Sequence, residues 1–298
     1  MKAKNYSRIL TLDPSTAPEG TYFDSGTPDR AAENRYFPGW YNDMTPWGYR
    51  NQESHLRVAF DAAIGARVIE WKQMHLRYLL NTDPFCSDVR IRARLCTPTA
   101  ACVQYHDIPD CTEARLGIVL RYQDHRHFYF CALEGLRRLV LYRRDDDEWQ
   151  VLASTQIPLY PGLYYDLEVE ALGNAFHCSC GAYALQATDS RYTRGRLGIR
   201  GNSLGKIAGS QVEMTPGQRA YNQILRSNYQ RELDALRLEY PALTEARRLD
   251  LRPFGDVQLE LVYLRTPERP DLLLHRQDGD QVRTLALDWE LNLLWERD

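Results

Sequence analysis

The sequence predicts an all-β protein built around an antiparallel β-sandwich, with one α-helix after it and a small antiparallel sheet at the end of the chain. Three observations lead to this prediction: many short segments alternate between apolar and polar residues, turn signals separate these segments, and only one segment has helical periodicity. Many short strands without intervening helices form a sandwich or a barrel, and not a mixed α/β fold.

The segment 1–50 is rich in proline, glycine, aspartate and aromatic residues, and it shows no sustained period. Its aromatic residues are concentrated at 36–41 and 46–49. Such a composition is typical of irregular structure. We therefore expect a lead-in that is anchored on a sheet by its aromatic side chains and that contributes one edge strand.

The alternation of apolar and polar residues begins at Leu56. The predicted strands are 56–60, 66–71, 89–95, 116–122, 127–133, 139–143, 150–153, 164–170, 175–180, 182–187 and 196–199. Turn signals lie between them, such as Pro161-Gly162 and Gly173-Asn174. A strand with a period of two places one face on a core and the other in solvent. The segment 1–214 is therefore predicted to form one sandwich domain.

A helical segment is predicted over 215–248. Thr215 is a favourable N-cap, Pro216 suits the first helical position, and Gln218 completes a capping box. Apolar residues then recur at helical spacing until Pro241, namely Tyr221, Ile224, Leu225, Tyr229, Leu233 and Leu236. We expect this helix to pack against the sandwich or to link it to the next unit.

Beyond the helix, the segment 249–298 returns to strand patterns. The predicted strands are 257–264, 271–275, 281–287 and 291–295, and Asp278-Gly279-Asp280 forms the turn between two of them. This predicts one small antiparallel sheet.

Charge and hydropathy exclude several functional classes. The 37 basic residues are scattered among 40 acidic ones, which gives a net charge of −3 and no basic patch for a nucleic-acid backbone. No apolar run approaches the roughly 20 residues that a membrane helix needs. The first residues contain no apolar stretch of signal-peptide length. We therefore expect no nucleic-acid or membrane partner.

The seven cysteines are an odd number, and several lie within apolar strand-like segments. Free buried thiols in a reducing compartment explain this most simply, which favours a cytoplasmic location. If the chain is part of a longer secreted protein, an extracellular location is expected instead. Cys178-Ser179-Cys180 lacks the spacing of a zinc site, so no metal ligands and no cofactor are predicted.

Residues 115–201 resemble the concanavalin A-like lectin/glucanase superfamily, in its laminin-G-like branch. The resemblance is carried by residues 117–124, 127–130, 165–174, Gly181, 188–190 and 195–199. It implies a jelly-roll topology for the sandwich and carbohydrate as the ligand class.

Residues 253–298 resemble one propeller blade of rhamnogalacturonan-lyase-like proteins. The resemblance is carried by 254–257, 269–274, 278–280 and 293–296. Blades with a structural calcium carry an Asp-x-Asp-Gly loop, but Gln258-Leu259-Glu260-Leu261 stands in its place here, so no motif supports calcium. A single blade cannot close a propeller. Either the chain precedes further domains of a longer protein, or this segment is a degenerate sheet.

Three carboxylates, those of Asp166, Glu168 and Glu170, fall at i, i+2 and i+4 of a predicted strand and so project from one face. Two carboxyl groups about 5 Å apart are what a retaining glycosidase needs. The sandwich glucanases carry Glu-x-Asp-x-Glu on a similar strand, whereas the order here is Asp-x-Glu-x-Glu. Glu168 and Glu170 are therefore candidate catalytic residues, and a solvated strand without catalytic role is the alternative.

Arg121, Gln123, His127 and Tyr129 alternate about a predicted turn and are expected to share one sheet face. Polysaccharide lyases need a cation to neutralise the uronate and a His or Tyr to move a proton. His127 is therefore a third candidate catalytic residue. Without catalysis, the four side chains are predicted to bind ligand or to have structural roles, with Arg121 pairing across the sheet.

Aromatic side chains are candidate platforms for sugar rings, because the apolar face of a sugar packs on an aromatic ring. Trp47 in the lead-in and Trp149 in a predicted hairpin are the ligand-binding candidates, and Trp40 and Tyr49 have the same potential. Buried anchoring is the alternative for the residues of the lead-in.

Together these observations predict a carbohydrate-binding or accessory module of a polysaccharide-degrading protein, with glycan on a concave sheet and its rim loops. One alternative is an enzyme, either a glycoside hydrolase or a polysaccharide lyase. A second alternative is a structural interaction domain without ligand, in which the lead-in fills the groove.

Overall fold

The computed structural model describes residues 6–21, 35–43, 56–71, 77–97, 115–201, 205–239, 251, 257–266, 269–278 and 281–297. The chain divides into two compact units, Met1–Leu233 and Asp234–Asp298. The first unit contains the sandwich and the larger part of a helix. The second unit contains the rest of that helix and a small sheet. No helix in these ranges is long and apolar enough to cross a membrane.

The described strands of the first unit are short and follow one another with little helix between them. They are β1 (Ser7–Leu12), β2 (Trp40–Asp43), β3 (Leu56–Asp61), β4 (Ala66–Trp71), β5 (Arg77–Asn81), β6 (Val89–Cys96), β7 (Arg115–Asp124), β8 (His127–Glu134), β9 (Arg138–Asp145), β10 (Glu148–Gln156), β11 (Tyr164–Leu172), β12 (Ala175–Cys180), β13 (Tyr183–Thr188), β14 (Arg196–Gly201) and β15 (Lys206–Met214).

These strands form two antiparallel sheets, and the predicted all-β sandwich is confirmed. Sheet A has the order β13-β12-β11-β6-β15-β4-β3, and β1 also pairs with β15. Sheet B has the order β10-β9-β8-β7-β14-β5-β2. The main core contains residues of both sheets, such as Val169 from sheet A and Ile118 from sheet B.

The two sheets differ in their outer faces. The outer face of sheet B carries a second cluster of buried side chains, namely Tyr41, Tyr78, Leu80, Val119, Tyr122, Phe128, Phe130, Ala132, Val140 and Tyr142. Sheet B is therefore buried on both sides, which explains why β7 and β8 are apolar almost throughout. Sheet A alternates between buried and accessible residues, as β6 and β11 show. Among the described strands, sheet A therefore offers the open polar face.

Strand β15 changes partner along its length, and this creates a gap at the surface of sheet A. Its first residues, Lys206 and Ile207, pair with β4. From Ser210 to Met214 it pairs with β1 instead. A register shift between Ile207 and Gly209 marks the transition on the side that pairs with β6. Among the described strands, none therefore lies beside Ala208 and Gly209 on the edge of β15 that pairs with β4 and β1.

Within its described residues the lead-in supplies two strands, where one was predicted. Strand β1 joins sheet A and β2 joins sheet B, each with a single partner strand. Trp40 is fully buried, and its indole N–H donates to the carbonyl of Thr11 at 3.2 Å. This contact joins the two strands across the sandwich. Strand pairing and this aromatic anchor fix the positions of the two strands.

Helix α1 spans Pro216–Glu239. Thr215 caps it as predicted, because its hydroxyl accepts the backbone N–H of Gln218 at 3.2 Å. The side chain of Gln218 binds Asn222, at 2.6 Å, so the structure shows only half of the capping box. Phe85 stacks edge-on against Tyr229 and Asp83 forms an ion pair with Arg226, and these contacts hold the helix on the first unit.

The second unit contains a four-stranded antiparallel sheet with the order β16-β17-β18-β19. Its strands are β16 (Val257–Val262), β17 (Asp271–Asp278), β18 (Gln281–Leu287) and β19 (Leu293–Arg297). Its small core contains Leu272, Leu274 and Leu287. A small terminal antiparallel sheet was predicted here and is present.

Candidate functional site

The outer face of sheet A carries polar side chains in rows that cross its strands. The cross-strand register places His177, Glu170, Arg90, Glu213 and Arg8 in one row, Ser179, Glu168, Arg92, Gln211 and Thr11 in the next, and Asp166, Arg94 and Gly209 in a third. Side chains on one face of neighbouring strands are close enough to interact. The alternation of each strand therefore produces a two-dimensional grid of hydrogen-bonding groups.

A groove with a volume of about 580 Å³ crosses this grid at the gap beside β15. It is lined by residues 11–13 at the end of β1, 92–94 of β6, 166–168 of β11, Ser179 of β12 and 208–211 of β15. The absence of a side chain at Gly209 and the change of partner along β15 both leave room here. We refer to this space as the sheet A groove.

One side of the groove is held by an ion pair. The guanidinium of Arg92 binds the carboxylate of Glu168 and lies 3.7 Å from Glu213, and the hydrogen bond to Glu168 raises the pKa of Arg92. Glu213 in turn accepts a hydrogen bond from Arg90 Nε at 2.6 Å. Arg92, Glu168 and Glu213 therefore satisfy one another before any ligand binds.

Asp166 and Arg94 behave differently, although they lie opposite each other on β11 and β6. Both line the groove and both are exposed. Within the described ranges, neither side chain has a hydrogen bond or an ion pair. As far as the described residues go, the groove therefore contains a carboxylate and a guanidinium that are free to bind another molecule.

Glu170, the next carboxylate along β11, is covered by the segment before β1. Its Oε1 atom accepts the Tyr6 hydroxyl at 2.5 Å, and the Tyr6 ring lies under the guanidinium of Arg90, 4.2 Å from the ring centroid. Burial and the carboxylate raise the pKa of Tyr6. As predicted, Asp166, Glu168 and Glu170 share one face, but each has a different environment.

Arg121 and Tyr129 lie inside the sandwich. Arg121 is 1% exposed and donates to the carbonyls of Tyr192 and Gly173, and burial lowers its pKa. Tyr129 is fully buried, and its hydroxyl donates to Asp189 at 2.5 Å. A register shift follows Leu120, and Arg121 itself has a positive φ of 50°. The predicted alternation therefore fails at this bulge, and Arg121, Gln123, His127 and Tyr129 do not share one open face.

Gln123 and His127 lie at the rim of sheet B. The side-chain amide of Gln123 donates to the carbonyls of Arg121 and Arg194. His127 Nδ1 lies 2.8 Å from Asp124, and its Nε2 lies 3.2 Å from Asp146. Hydrogen bonding to His127 contributes to the lowered pKa of Asp124.

The ligand atoms of His127, Asp145 and Asp146 all lie within 4.8 Å of one another, close enough for a metal ion. Asp145 is already paired with Arg191 at 2.8 Å and accepts the Tyr192 hydroxyl at 2.9 Å. Arg191 thus provides the positive charge that a metal ion would otherwise supply to this rim.

Of the predicted aromatic platforms, Trp149 packs edge-on against Phe128, Phe130 and Tyr142, and the guanidinium of Arg200 lies 5.1 Å from the Trp149 ring. Both aromatic and cationic partners therefore already cover its ring. Trp40 is an internal anchor. Trp47 and Tyr49 lie outside the described residues.

Arg92 and Arg94 were not predicted as site residues, although the sequence carries a signal for them. The segment Val89-Arg90-Ile91-Arg92-Ala93-Arg94 carries arginines at i, i+2 and i+4, the spacing of the carboxylates on 166–170. Complementary stripes of this kind indicate neighbouring strands.

No family model and no curated protein matches this chain. Among solved structures, a carbohydrate-binding module from Bacillus subtilis is similar, with a TM-score of 0.43, 13% identity, and coverage of 59% of this chain and 96% of the module. Chicken galectin 2 gives 0.34 and 12%, with coverage of 47% and 98%. A mixed-linkage glucan hydrolase from Bacteroides ovatus gives 0.39 and 9%, with coverage of 58% and 94%. These neighbours are carbohydrate-binding proteins and a glucanase with β-sandwich folds.

Proposed function

We propose that this chain binds carbohydrate in the sheet A groove, as a non-catalytic module of a polysaccharide-degrading protein. The observation that carries the proposal is the pair Asp166 and Arg94, an acceptor and a donor that line one open groove and have no side-chain partner among the described residues. A guanidinium offers five N–H donors and a carboxylate offers several lone pairs. Such a pair recognises neighbouring hydroxyl groups, which both donate and accept.

The surroundings of this pair support a polar ligand with many hydroxyl groups. Gln211, Thr11 and Ser179 add neutral donors and acceptors in the adjoining row. Neighbouring strands lie roughly 4.8 Å apart, so several groups of one row can contact a single ligand together. The groove volume lies within the range of about 300–1,000 Å³ that is typical of ligand clefts.

The state of the other two carboxylates supports binding without catalysis. Glu168 is paired with Arg92, and Glu170 accepts the hydroxyl of Tyr6. A retaining glycosidase needs both carboxyl groups at one scissile bond, one as nucleophile and one as acid/base. The glycoside hydrolase alternative therefore requires both partners to move.

The laminin-G-like and the rhamnogalacturonan-lyase-like resemblances are part of the same proposal. The laminin-G-like likeness of 115–201 supports a recognition module. The likeness of 253–298 to a rhamnogalacturonan-lyase-like blade is supported by the four antiparallel strands of the second unit, which is the number in one blade. Further blades in a longer protein would place this module beside a unit that degrades polysaccharide.

The test is a glycan array with the whole chain, followed by titration of the best oligosaccharide. We expect Arg94→Gln and Asp166→Asn each to weaken binding at least tenfold, because hydrogen bonds to charged groups contribute about 1.5–3 kcal/mol. Arg126→Gln and Asp147→Asn, at exposed turns of sheet B, are the matched controls and should bind like the wild type. No array signal, or binding that survives both groove substitutions, would overturn the proposal. Cleavage of the oligosaccharide that is lost in Glu168→Gln would replace it with the hydrolase.

A further inference from the structure

A second cavity lies within the first unit, between helix α1 and the end of the sandwich. Its volume is about 250 Å³. It is lined by Ile9, Leu10, Gly39, Asn81, Thr82, Asp83, Met214, Arg219, Asn222, Gln223 and Arg226. The sheet A groove shares none of these residues, so the two spaces are separate. We refer to this one as the helix cavity.

Helix α1 turns an unusual face toward the cavity. Its lining residues are Arg219, Asn222, Gln223 and Arg226, at positions i, i+3, i+4 and i+7, and all four are polar. Helices on globular domains ordinarily place an apolar stripe at these positions. Here Tyr221 and Ile224 are instead 53% and 58% exposed. The helix therefore does not fill this space as a packing element does.

A buried side chain in the wall of the cavity has a poor hydrogen-bond partner. Asn222 is 2% exposed, and its Oδ1 atom accepts the side-chain amide of Gln218 at 2.6 Å. Its Nδ2 atom donates to the thioether sulfur of Met214 at 3.5 Å. A thioether is a weak acceptor, so an oxygen in the cavity would be a better partner for this amide.

The charges of the cavity do not cancel. Arg226 forms an ion pair with Asp83. Arg219, one helical turn from Asn222, has no side-chain hydrogen bond or ion pair in the part of the chain that the structure describes. The lining of the cavity therefore carries one net positive charge. In the same wall, the amide of Asn222 donates only to a weak acceptor.

We propose that the helix cavity binds a small organic carboxylate. The guanidinium of Arg219 would bind the carboxylate, Asn222 Nδ2 would donate to a further ligand oxygen, and Ile9, Leu10 and Met214 would contact the carbon skeleton. The cavity volume of about 250 Å³ suits one sugar acid or a dicarboxylate.

The experiment compares glucuronate with glucose, because the two share a ring and differ in the carboxylate. We expect saturable binding of glucuronate to the whole chain by NMR titration, with no saturation by glucose. Arg219→Gln should weaken the binding at least tenfold, which corresponds to one hydrogen bond to a charged group. Arg231→Gln, farther along the same helix with its side chain bound to Asn228, is the matched control and should leave the affinity unchanged.

Several outcomes would overturn the proposal. Equal binding of glucose would show that the carboxylate is not recognised, and an equal loss in Arg231→Gln would show a non-specific effect of charge. Loss of glucuronate binding in Arg94→Gln would place the ligand in the sheet A groove. Because the cavity shares no residue with that groove, either proposal can fail while the other stands.

Discussion

The guanidinium of Arg121 donates to the main-chain carbonyl of Tyr192 at 2.9 Å, although the two residues are 71 positions apart in the sequence. The same guanidinium binds the carbonyls of Gly173 and Ser87. One buried side chain thus joins three loops at one end of the sandwich. This role explains why an arginine occupies an enclosed site.

Replacing this side chain should destabilise the sandwich. We expect Arg121→Gln to lower the free energy of unfolding by roughly 3 kcal/mol, because buried carbonyls of three loops lose a charged donor. Arg126→Gln, in the exposed turn after the same strand, should change it by less than about 0.5 kcal/mol. Urea unfolding monitored by tryptophan fluorescence measures both. A loss below about 1 kcal/mol in Arg121→Gln would contradict the structural role.

Gly195 packs directly against the backbone of Arg121, and we expect Gly195→Ala to be destabilising. An added Cβ would lie 2.4 Å from the carbonyl carbon of Arg121, so the bulge must move. The expected cost is about 1–3 kcal/mol. The control is Gly181→Ala. Gly181 has a φ of 59°, but nothing lies within 4 Å of an added Cβ atom, so this substitution should cost only about 1 kcal/mol. Urea titrations that rank the two variants in the opposite order would refute the steric argument.

The Asp61 carboxylate should make the sandwich sensitive to acid. It accepts hydrogen bonds from Lys206 at 2.7 Å and from the Tyr164 hydroxyl at 2.5 Å, and these lower its pKa from 3.8 to about 2. Because the folded pKa is the lower one, the contribution is complete above about pH 4 and is lost as the pH falls toward 2.

The shift corresponds to roughly 2 kcal/mol. We therefore expect the difference in unfolding free energy between the wild type and Asp61→Asn to shrink between pH 5 and pH 2. Lys206→Met removes one of the donors to Asp61 and should reduce this pH dependence. A difference that stays constant over that range would show that Asp61 titrates alike in the folded and unfolded states.

The N-cap of helix α1 gives a fourth prediction. Thr215→Ala should destabilise the helix by about 1 kcal/mol, because the N–H of Gln218 loses its acceptor. Thr215→Ser keeps a hydroxyl at the same place and should restore most of the loss. Circular dichroism at 222 nm during urea unfolding follows the helix. Equal stability of the alanine and serine variants would exclude the cap.

The sequence allowed the fold class and many strands to be predicted, because alternation is a local property. The bounds predicted for β4, β12 and β18 agree with the structure. Strand β15 was missed, although it lies in the middle of sheet A. The reason is its bulge at Gly209, which shifts the phase of the alternation within the strand.

The candidate site was only half predictable. The carboxylate stripe of 166–170 follows from spacing alone. That this stripe faces the arginines of 90–94 depends on the pairing of β11 with β6, which are far apart in the sequence, and no local pattern determines it. The burial of Arg121 depends on its own positive φ, near the end of a long apolar strand. A period of two in the sequence cannot predict such a change of direction.

One wall of the sheet A groove belongs to an edge strand. Strand β1 and the residue after it supply residues 11–13, and among the described strands β1 pairs only with β15. A molecule in which β1 has detached therefore has an incomplete site. Any ligand of the groove therefore binds the attached form preferentially and adds RT ln(1 + [L]/Kd) to its stability. Occupancy should consequently protect the amides of β1 from hydrogen exchange, while those of β13 at the opposite edge exchange as before.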